Sequence, residues 1–526
     1  MKLMDKLSNW TLMDFTESIV SETNLLNRDF KVAFYLMVHG HTHKYINKDL
    51  LSHFVNLQKL AIDRGYPQEQ SPQQHIYSMY MDIALTELKA YILLEYAQLI
   101  LRVSGKSNLI VDGRRIRANY KANTEHGFNL LRNLSQQADR VLWRSDPESE
   151  KHLFNVTYDE VTRLLQGYVE NEVDLNNEGS CSRTCYAYQN TTSMSCFDQK
   201  FCSQQPQCEG RIYECQFVDS DLSVCQSPTS SNRRYEYIQY GDGQLLGKYD
   251  YCQQDANKVE SWRRWLFWQC SYCFCLCDEP GPKSDRFFNL RETLSDVQAN
   301  KVVTGVRFVK KNRVFQLQIQ QGQLLPRGAI NESTLEWKPV DDYEIYDSTI
   351  KVGVDYHTLS YQSRAVDLDE VTKTDDATFV VTGVRFQVID GHLNLKVRFS
   401  KFDFLKGEIV DPQVNSVWQA KDDIPNREKL NIDNLDVPTR SLDKSKVLSG
   451  DNQYLEFVNT GMNKDAAQTT IPFIDLQNAA SNQPVPLAGI GLYYKGSYGY
   501  GGFVALKIIT FDILPYLPLP ETITKS

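Results

Sequence analysis

All twelve cysteines of the chain lie between positions 181 and 277, and none occurs before or after that segment. Twelve cysteines in so short a stretch exceed the density that marks a disulfide-stabilised module, and their number is even. We predict that all of them form disulfides, in a pairing that the spacing alone does not assign. The predicted disulfide cysteines are Cys181, Cys185, Cys196, Cys202, Cys208, Cys215, Cys225, Cys252, Cys270, Cys273, Cys275 and Cys277.

Metal binding is the alternative for this segment, because its last four cysteines are closely spaced. Only Cys270 and Cys273 have the CxxC spacing of zinc sites, however, and no histidine lies between 181 and 277. The sequence therefore favours disulfides over a metal. Disulfides in this number persist in oxidising compartments, so we predict a secreted, extracellular protein.

Two further sequence features bear on secretion. The first residues contain no uninterrupted apolar stretch of the length that a signal peptide needs, so we expect a leader to lie upstream of Met1. Asn-X-Ser/Thr sequons are compatible with secretion and predict glycosylation, although a chain of this composition carries several by chance. The predicted glycosylation sites are Asn133, Asn155, Asn190 and Asn331, and a fifth sequon begins at Asn9.

The N-terminal part of the chain, residues 1–175, predicts a helical bundle. The clearest helix begins after Ser71, where Pro72 suits the first helical position and Gln74 completes a capping box. Apolar residues then recur at spacings of three and four as far as Ser104. Weaker helical patterns cover 11–27, 48–64, 120–143 and 159–173.

The rest of the chain divides into a predicted cysteine-rich module, 176–286, and a predicted β-rich domain, 287–526. Within the β-rich domain, the segment Val-Val-Thr-Gly-Val-Arg-Phe at 302–308 recurs at 380–386, and a looser third copy starts at Leu487. Each copy predicts a β-hairpin whose return strand alternates apolar and polar residues, so one face of its sheet is dry.

The three hairpins constrain the fold of the β-rich domain. Hairpins of one design predict three sheets about a pseudo-threefold axis, with their dry faces in one core. Asp390-Gly391, a strong two-residue hairpin signal, aligns with Asn312-Arg313. We expect a β-prism, with a β-sandwich as the alternative. The predicted fold class is therefore multi-domain α+β, with an N-terminal helical bundle, a disulfide-rich middle module and a C-terminal all-β domain.

The paired hairpins and the closing segment 489–496, behind a cysteine-rich block and a helical half, resemble a family of secreted insect proteins of unknown function. This resemblance implies an extracellular protein and supplies no catalytic residues. The C-terminal part is also distantly similar to the β-prism of jacalin-type lectins, which bind sugars at glycine-rich, aromatic loop tips. Insecticidal crystal toxins combine a helical bundle with a β-prism, and this similarity implies a membrane-acting alternative.

The glycine-rich segment 495–502, Lys-Gly-Ser-Tyr-Gly-Tyr-Gly-Gly, is the best binding candidate in the sequence. Tyrosine rings stack on the C–H faces of sugars, their hydroxyls reach sugar oxygens, and glycine lets the backbone approach a ligand closely. The predicted ligand-binding residues are Tyr493, Tyr494, Lys495, Tyr498 and Tyr500.

One histidine pattern carries a metal hypothesis. His39, His41 and His43 alternate, which places imidazoles on one side of an extended segment. No nearby carboxylate pattern completes a site, so we interpret the segment as a polar loop and predict no metal centre.

Charge and motif content exclude several function classes. The net charge of −9 argues against a protein that coats nucleic acid, and no common hydrolase or metalloprotease motif is present. No apolar run is long enough for a transmembrane segment. We predict a secreted, non-enzymatic recognition protein without a cofactor, whose partner is an extracellular glycan or matrix protein. The alternatives are a membrane-acting protein that uses its long helix and a structural component of a secreted matrix.

Overall fold

The chain folds into two compact units in a computed structural model. One unit comprises Met1–Val141 with Asp512–Ser526, and the other comprises Leu142–Phe511. This division differs from the boundaries at 175 and 286 that composition predicts, because it places the cysteine-rich and β-rich regions in one unit. The structure describes residues 9–20, 55–57, 60, 68–106, 113–196, 200–218, 221–249, 252, 255–260, 262–264, 268–373, 378–421 and 426–517.

Three helices account for most of the described part of the smaller unit. They are α1 (Asn9–Val20), α2 (Pro72–Val103) and α3 (Gly113–Gln137). The capping box predicted for α2 is confirmed: the Ser71 hydroxyl accepts from the Gln74 N–H, and the Gln74 side chain accepts from the Ser71 N–H.

The partners of α2 lie along two of its faces. Its C-terminal half packs Ala97 and Leu101 against Ile19 and Val20 of α1. On another face, Tyr91 stacks on Tyr120 of α3 with ring centroids 4.4 Å apart. Within the described residues, no helix combines the length and apolarity needed to cross a lipid bilayer.

The larger unit is built mainly from strands, and three long hairpins dominate it. The first and second hairpins are displaced by 78 residues, from Lys301 to Phe379, and the third lies a further 108 residues on, at Leu487. The first hairpin is Lys301–Lys311 with Val314–Leu324, the second is Phe379–Ile389 with His392–Asp403, and the third is Leu487–Gly496 with Phe503–Thr510.

Short strands repeat around the hairpins in the same way. Each return strand has a parallel neighbour that precedes its own hairpin in the chain: Phe287–Asn289, Ala365–Leu368 and Phe473–Asp475 respectively. The next short strand of each repeat instead pairs with a different hairpin. Thr293–Leu294 pairs with the second hairpin, Glu370–Thr372 with the third, and Ala479–Ala480 with the first. The three repeats therefore exchange strands in a closed cycle, which links the end of the unit to its beginning.

Further strands extend the three hairpin sheets. The first sheet gains Tyr356–Thr358 and Ile330–Trp337. The second sheet gains four strands, Gln453–Glu456, Glu428–Lys429, Glu408–Ile409 and Ser416–Gln419. The third sheet gains Tyr158–Asp159 and Lys446–Val447. Two-residue strands also occur at Val141–Leu142 and, as a pair, at Val458–Asn459 and Thr470–Ile471, next to the short helix Met462–Asp465.

Buried side chains from all three hairpins form one hydrophobic cluster, as the alternating pattern predicts. Phe308 of the first hairpin stacks on Phe386 of the second, with centroids 6.1 Å apart, and Leu492 of the third belongs to the same cluster. The two-residue turns are also confirmed, because Asn312-Arg313 and Asp390-Gly391 all have positive φ.

A bulge with a glycine recurs at the same place in each hairpin. The register shifts between Val303 and Gly305, and the equivalent shifts precede Gly383 and Gly489. A Cβ atom on Gly305 would lie 2.6 Å from the Ala480 Cβ, on the strand that crosses at this point. An added methyl group there would cost about 1–3 kcal/mol. The glycine of the repeated Val-Thr-Gly-Val motif is therefore explained by strand exchange.

The cysteine-rich region forms two four-stranded sheets. The first has the order Gln166–Asn171, Tyr272–Asp278, Arg211–Phe217, Asn190–Thr191, and the second has the order Leu245–Gly247, Tyr235–Tyr240, Leu222–Gln226, Asn257–Val259. A two-stranded ribbon, Trp262–Arg264 with Trp268–Cys270, follows the second sheet in the chain and precedes the strand Tyr272–Asp278. The helix predicted at 159–173 is wrong: Gln166–Asn171 is a strand, buried at all six positions. Its sequence, Gln-Gly-Tyr-Val-Glu-Asn, does not alternate apolar and polar residues, so the period-two signal of a strand is missing.

The prediction of twelve disulfide-bonded cysteines is confirmed, since all of them pair and no cysteine is free. The pairing joins Cys181 to Cys270, Cys185 to Cys273, Cys196 to Cys202, Cys208 to Cys277, Cys215 to Cys275 and Cys225 to Cys252. The closely spaced cysteines at 270–277 therefore offer no thiolates to a metal.

Candidate functional site

The connection of the third hairpin, residues 497–502, is held in place by the segment 436–445. The Asp436 N–H donates to the Gly499 carbonyl at 2.9 Å, and the Gly501 N–H donates to the Asp436 carbonyl at 2.8 Å. The Ser497 hydroxyl also donates to the Asp443 carbonyl at 2.9 Å. These bonds fix the backbone of the tip, so the side chains that it carries are presented on an ordered loop.

Two of the predicted binding residues lie on this tip. The Tyr498 side chain is fully exposed, whereas Tyr500 is half-buried in a small groove of about 80 Å³ beside it. His152 and Asp443 also line this tip groove, and Leu442 on its rim is 97% exposed. The structure thus brings together an exposed aromatic ring, a second tyrosine and polar groups at one end of a sheet.

The other three predicted binding residues are buried, which corrects the expectation that they contact a ligand. Tyr493, Tyr494 and Lys495 belong to the strand before the tip and are at most 2% exposed. Tyr493 packs edge-on against Trp143, with ring centroids 6.0 Å apart. The sequence did not reveal this cover, because residue 143 lies in the segment that was predicted as helix.

The buried Lys495 has a structural role. Its ammonium group lies 2.5 Å from an Asp475 oxygen and 3.0 Å from an Asp146 oxygen, and it donates to the Arg144 carbonyl. Burial alone would lower the pKa of Lys495, but the two carboxylates outweigh it and the net shift is upward. The lysine therefore stays charged and ties residues 144–146 to the third hairpin.

The glycines of the tip also have a different role from the one predicted. A Cβ on Gly501 would lie 2.5 Å from the Ile471 side chain, so glycine is required here to avoid a clash with Ile471. Only Gly499 of the tip, with a φ of +84°, has open space around its Cα. Ligand contacts at the tip therefore depend on side chains more than on close approach of the backbone.

A second concave site, for which no sequence motif exists, lies elsewhere in the larger unit. This polar cleft of about 360 Å³ is lined by Glu214, Arg364, Lys429, Asp433, Asn434 and Glu456, among others. The lining residues come from six stretches of the chain, at 165, 214–216, 274–276, 364, 429–434 and 456–462. No local motif connects them, and only the folded chain brings them together.

No cysteine among the described residues has a free thiolate that could bind a metal. Two groups of side chains lie close enough to share an ion, Glu172 with Cys185 and Cys273, and Glu170 with Asp174 and Cys202. All three cysteines are disulfide-bonded, so they cannot act as thiolate ligands. The histidines at 39, 41 and 43 lie outside the described residues.

The predicted glycosylation sites are accessible to different degrees. Asn133, Asn155 and Asn190 are exposed, and Asn331 is half-buried at the start of a strand. Their modification stays a prediction.

Residues 66–319 match a family model described as a domain of unknown function, DUF4803. The matched part includes α2, α3, the cysteine-rich sheets and most of the first hairpin, so it draws on both units. No curated protein matches the chain. The family description assigns no activity.

Proposed function

We propose that this chain is a secreted, non-enzymatic recognition protein that binds extracellular glycans or glycan-bearing matrix through the tip of its third hairpin. The observation that carries the proposal is Tyr498, whose ring is fully exposed on a loop fixed by backbone hydrogen bonds. Six disulfides support an oxidising, extracellular environment. The resemblance to secreted insect proteins and to β-prism lectins points the same way.

The tip suits the face of a sugar polymer better than an enclosed sugar. The Tyr498 ring offers a flat apolar surface on which the C–H face of a pyranose stacks. The tip groove is too small for a whole sugar ring, but Tyr500, His152 and Asp443 offer polar groups to hydroxyls at its mouth. Stacking on the Tyr498 ring provides most of the contact area, and the polar groups orient the bound sugar polymer.

Replacing Tyr498 by alanine tests this proposal. We expect Tyr498→Ala to weaken glycan binding about tenfold or more, the equivalent of roughly 1.4 kcal/mol of lost stacking. Its thermal unfolding should not change, because the ring is fully exposed. Glycan arrays followed by calorimetric titration measure the effect, and Tyr346→Ala, which removes another exposed tyrosine, is the matched control. Unaltered binding by Tyr498→Ala would contradict the proposal.

A membrane-acting function is the second candidate, and one observation favours it. Along α2, Leu85, Leu88, Ile92 and Leu99 are all more than a third exposed and recur at helical spacing. An apolar stripe of this kind suits a lipid surface. If this candidate is correct, the protein should release dye from anionic liposomes, and Ile92→Glu should abolish release. Absence of release across lipid compositions and pH would eliminate it.

A further inference from the structure

We propose that the polar cleft is a second binding site and that it takes one or two residues of a neutral sugar. The cleft shares no lining residue with the tip groove. Its volume, about 360 Å³, falls within the range of about 300–1,000 Å³ that is typical of small-molecule sites. Its lining is unlike such sites in being mostly polar, and this points to a ligand rich in hydroxyl groups.

The charges that line the cleft favour an uncharged ligand. Three carboxylates, on Glu214, Asp433 and Glu456, face two cations, on Arg364 and Lys429. An anion would be repelled by the carboxylates of Glu214 and Asp433, and a metal cation would be repelled by the guanidinium of Arg364 and the ammonium of Lys429. A neutral molecule whose groups both donate and accept hydrogen bonds avoids both conflicts.

Arg364 supplies the donor side of the cleft. Its Nε and Nη2 atoms donate to one Glu456 oxygen at 3.3 and 3.1 Å, and its guanidinium lies 4.8 Å from the centroid of the Tyr361 ring. The third nitrogen, Nη1, is buried, has no hydrogen-bond partner among the described residues, and belongs to a side chain that is 17% exposed. A buried donor without an acceptor costs about 1–3 kcal/mol, and an oxygen of a ligand or of water at this position offsets that cost.

Glu456 accepts hydrogen bonds from both donor side chains on this side of the cleft, Arg364 and Lys429. The same oxygen that accepts from Arg364 lies 2.8 Å from the Lys429 ammonium. Lys429 is partly exposed, and its ammonium has further N–H donors to offer. The wall thus presents an oriented guanidinium and an ammonium, both neutralised in part before a ligand arrives.

Glu214 supplies the acceptor side. It lies at the point where the pairing of its strand with Tyr272–Asp278 shifts register, and its φ is +50°, in the left-handed region that is unfavourable for a residue with a side chain. Its carboxylate accepts from the Tyr361 hydroxyl at 2.7 Å, and the Tyr361 ring stacks on Tyr213 at 4.1 Å. Strained residues of this kind concentrate at functional sites.

One aromatic residue connects the two walls. Tyr361 orients the carboxylate of Glu214 through its hydroxyl and supports the guanidinium of Arg364 with its ring face. A sugar hydroxyl can accept from Arg364 and donate to Glu214, because it has both capacities. The cleft therefore offers complementary polar groups that are positioned before binding.

The test is calorimetric titration of the full chain with a panel of neutral mono- and disaccharides. We expect saturable binding of at least one sugar, weakened at least tenfold by Glu214→Gln and by Arg364→Lys. Arg385→Lys is the matched control, because Arg385 also lies over an aromatic ring, that of Trp418 at 4.9 Å, and pairs with a carboxylate, that of Glu292 at 3.0 Å. Equal loss in this control, or no binding at millimolar sugar, would overturn the proposal.

A second measurement on the unaltered protein covers the case in which a variant does not fold. The bound sugar should slow amide hydrogen exchange in Arg211–Phe217 and around Lys429, and should leave residues 497–502 unchanged. Tyr498→Ala should retain this binding, so failure of the tip proposal and failure of the cleft proposal give different results. Protection confined to the tip, or loss of all sugar binding in Tyr498→Ala, contradicts a site in the cleft.

Discussion

Removing the disulfide between Cys225 and Cys252 should lower the free energy of unfolding by about 3.5 kcal/mol, one of the largest effects expected in this protein. The bridge joins positions 27 residues apart, and no other disulfide ends within that loop. The cross-link therefore restricts a part of the unfolded chain that no other bridge closes, and its removal restores that conformational freedom. The double variant Cys225→Ala with Cys252→Ala is compared with the unaltered protein by urea denaturation at equilibrium.

The bridge between Cys196 and Cys202 provides the control, since it spans only 6 residues. Its removal by the corresponding pair of alanine substitutions should cost about 2–2.5 kcal/mol, roughly two thirds as much, because loop-closure entropy grows with the logarithm of loop length. Equal losses for the two double variants would mean that loop closure does not dominate. Twelve titratable thiols on the native protein would contradict the bridges themselves.

The strand Tyr272–Asp278 is the centre of this disulfide network. Cys273, Cys275 and Cys277 alternate along it and therefore project from one face, where they meet Cys185, Cys215 and Cys208. These six cysteines belong to one buried cluster. The alternation of these cysteines is visible in the sequence. Their disulfide partners cannot be predicted from it, because each partner comes from a different strand or turn earlier in the chain.

The same contrast holds for the rest of the fold. Features set by neighbouring residues were predictable: the capping box of Ser71 and Gln74, and the two-residue turn at Asp390-Gly391. Features set by distant residues were not, as the strand Gln166–Asn171 shows, since its pairing with Tyr272–Asp278 overrides a helix-like pattern. Long-range pairing leaves little trace in local periodicity.

The candidate sites follow this rule as well. Tyr498 was predicted as a binding residue because it lies within a local glycine-rich segment, and its side chain is exposed. Lys495, three residues earlier, is buried because Asp146 and Asp475 pack against it from elsewhere in the chain. The polar cleft was missed because Glu214, Arg364 and Glu456 are separated by about 90 residues or more from one another. A site assembled from several strands becomes visible only when their register is known.

The larger unit should become more stable as the pH falls from about 8 to about 5.5, which is the opposite of ordinary acid denaturation. Burial raises the pKa of Glu170 and of Glu172 to about 7, and that of Asp174 to about 6. All three carboxyl groups belong to the five residues 170–174, in and just after the strand Gln166–Asn171, and are at most 5% exposed. Protonation of these three groups and of Glu160, whose pKa burial also raises to about 7, is the source of the expected gain. This gain exceeds the opposing effect of His152 and His357, whose pKa values burial lowers.

The hydrogen bonds of these carboxyl groups come from neutral donors. Glu170 accepts from the Tyr168 hydroxyl at 2.6 Å and from the Asn171 N–H at 3.0 Å, and Asp174 accepts from the Ser195 hydroxyl at 2.9 Å. Neutral donors offset only part of the desolvation of a buried charge. The charged form is therefore disfavoured relative to the unfolded chain, in which each carboxyl group is hydrated.

The sign of the pH dependence follows from proton uptake. Below pH 7 the folded carboxyl groups take up protons while those of the unfolded chain, with pKa values of about 4, are still ionised. The folded state thus binds more protons, and its stability rises as the pH falls, until the unfolded chain is protonated too. Between pH 8 and 5.5 the gain is about 2 kcal/mol for each glutamate, at 1.36 kcal/mol per pKa unit, and less for Asp174.

Glutamine at position 170 separates this effect from the general titration of the protein. Glu170→Gln retains the shape of the side chain and cannot ionise, so the slope of unfolding free energy against pH should flatten by roughly a third to a half. Urea denaturation at several pH values between 5.5 and 8 measures the slope. Glu178→Gln, which alters an exposed carboxylate of the same region, should leave it unchanged. A protein whose stability falls steadily on acidification, with the same slope in both variants, would show that these carboxyl groups are ionised in the folded state.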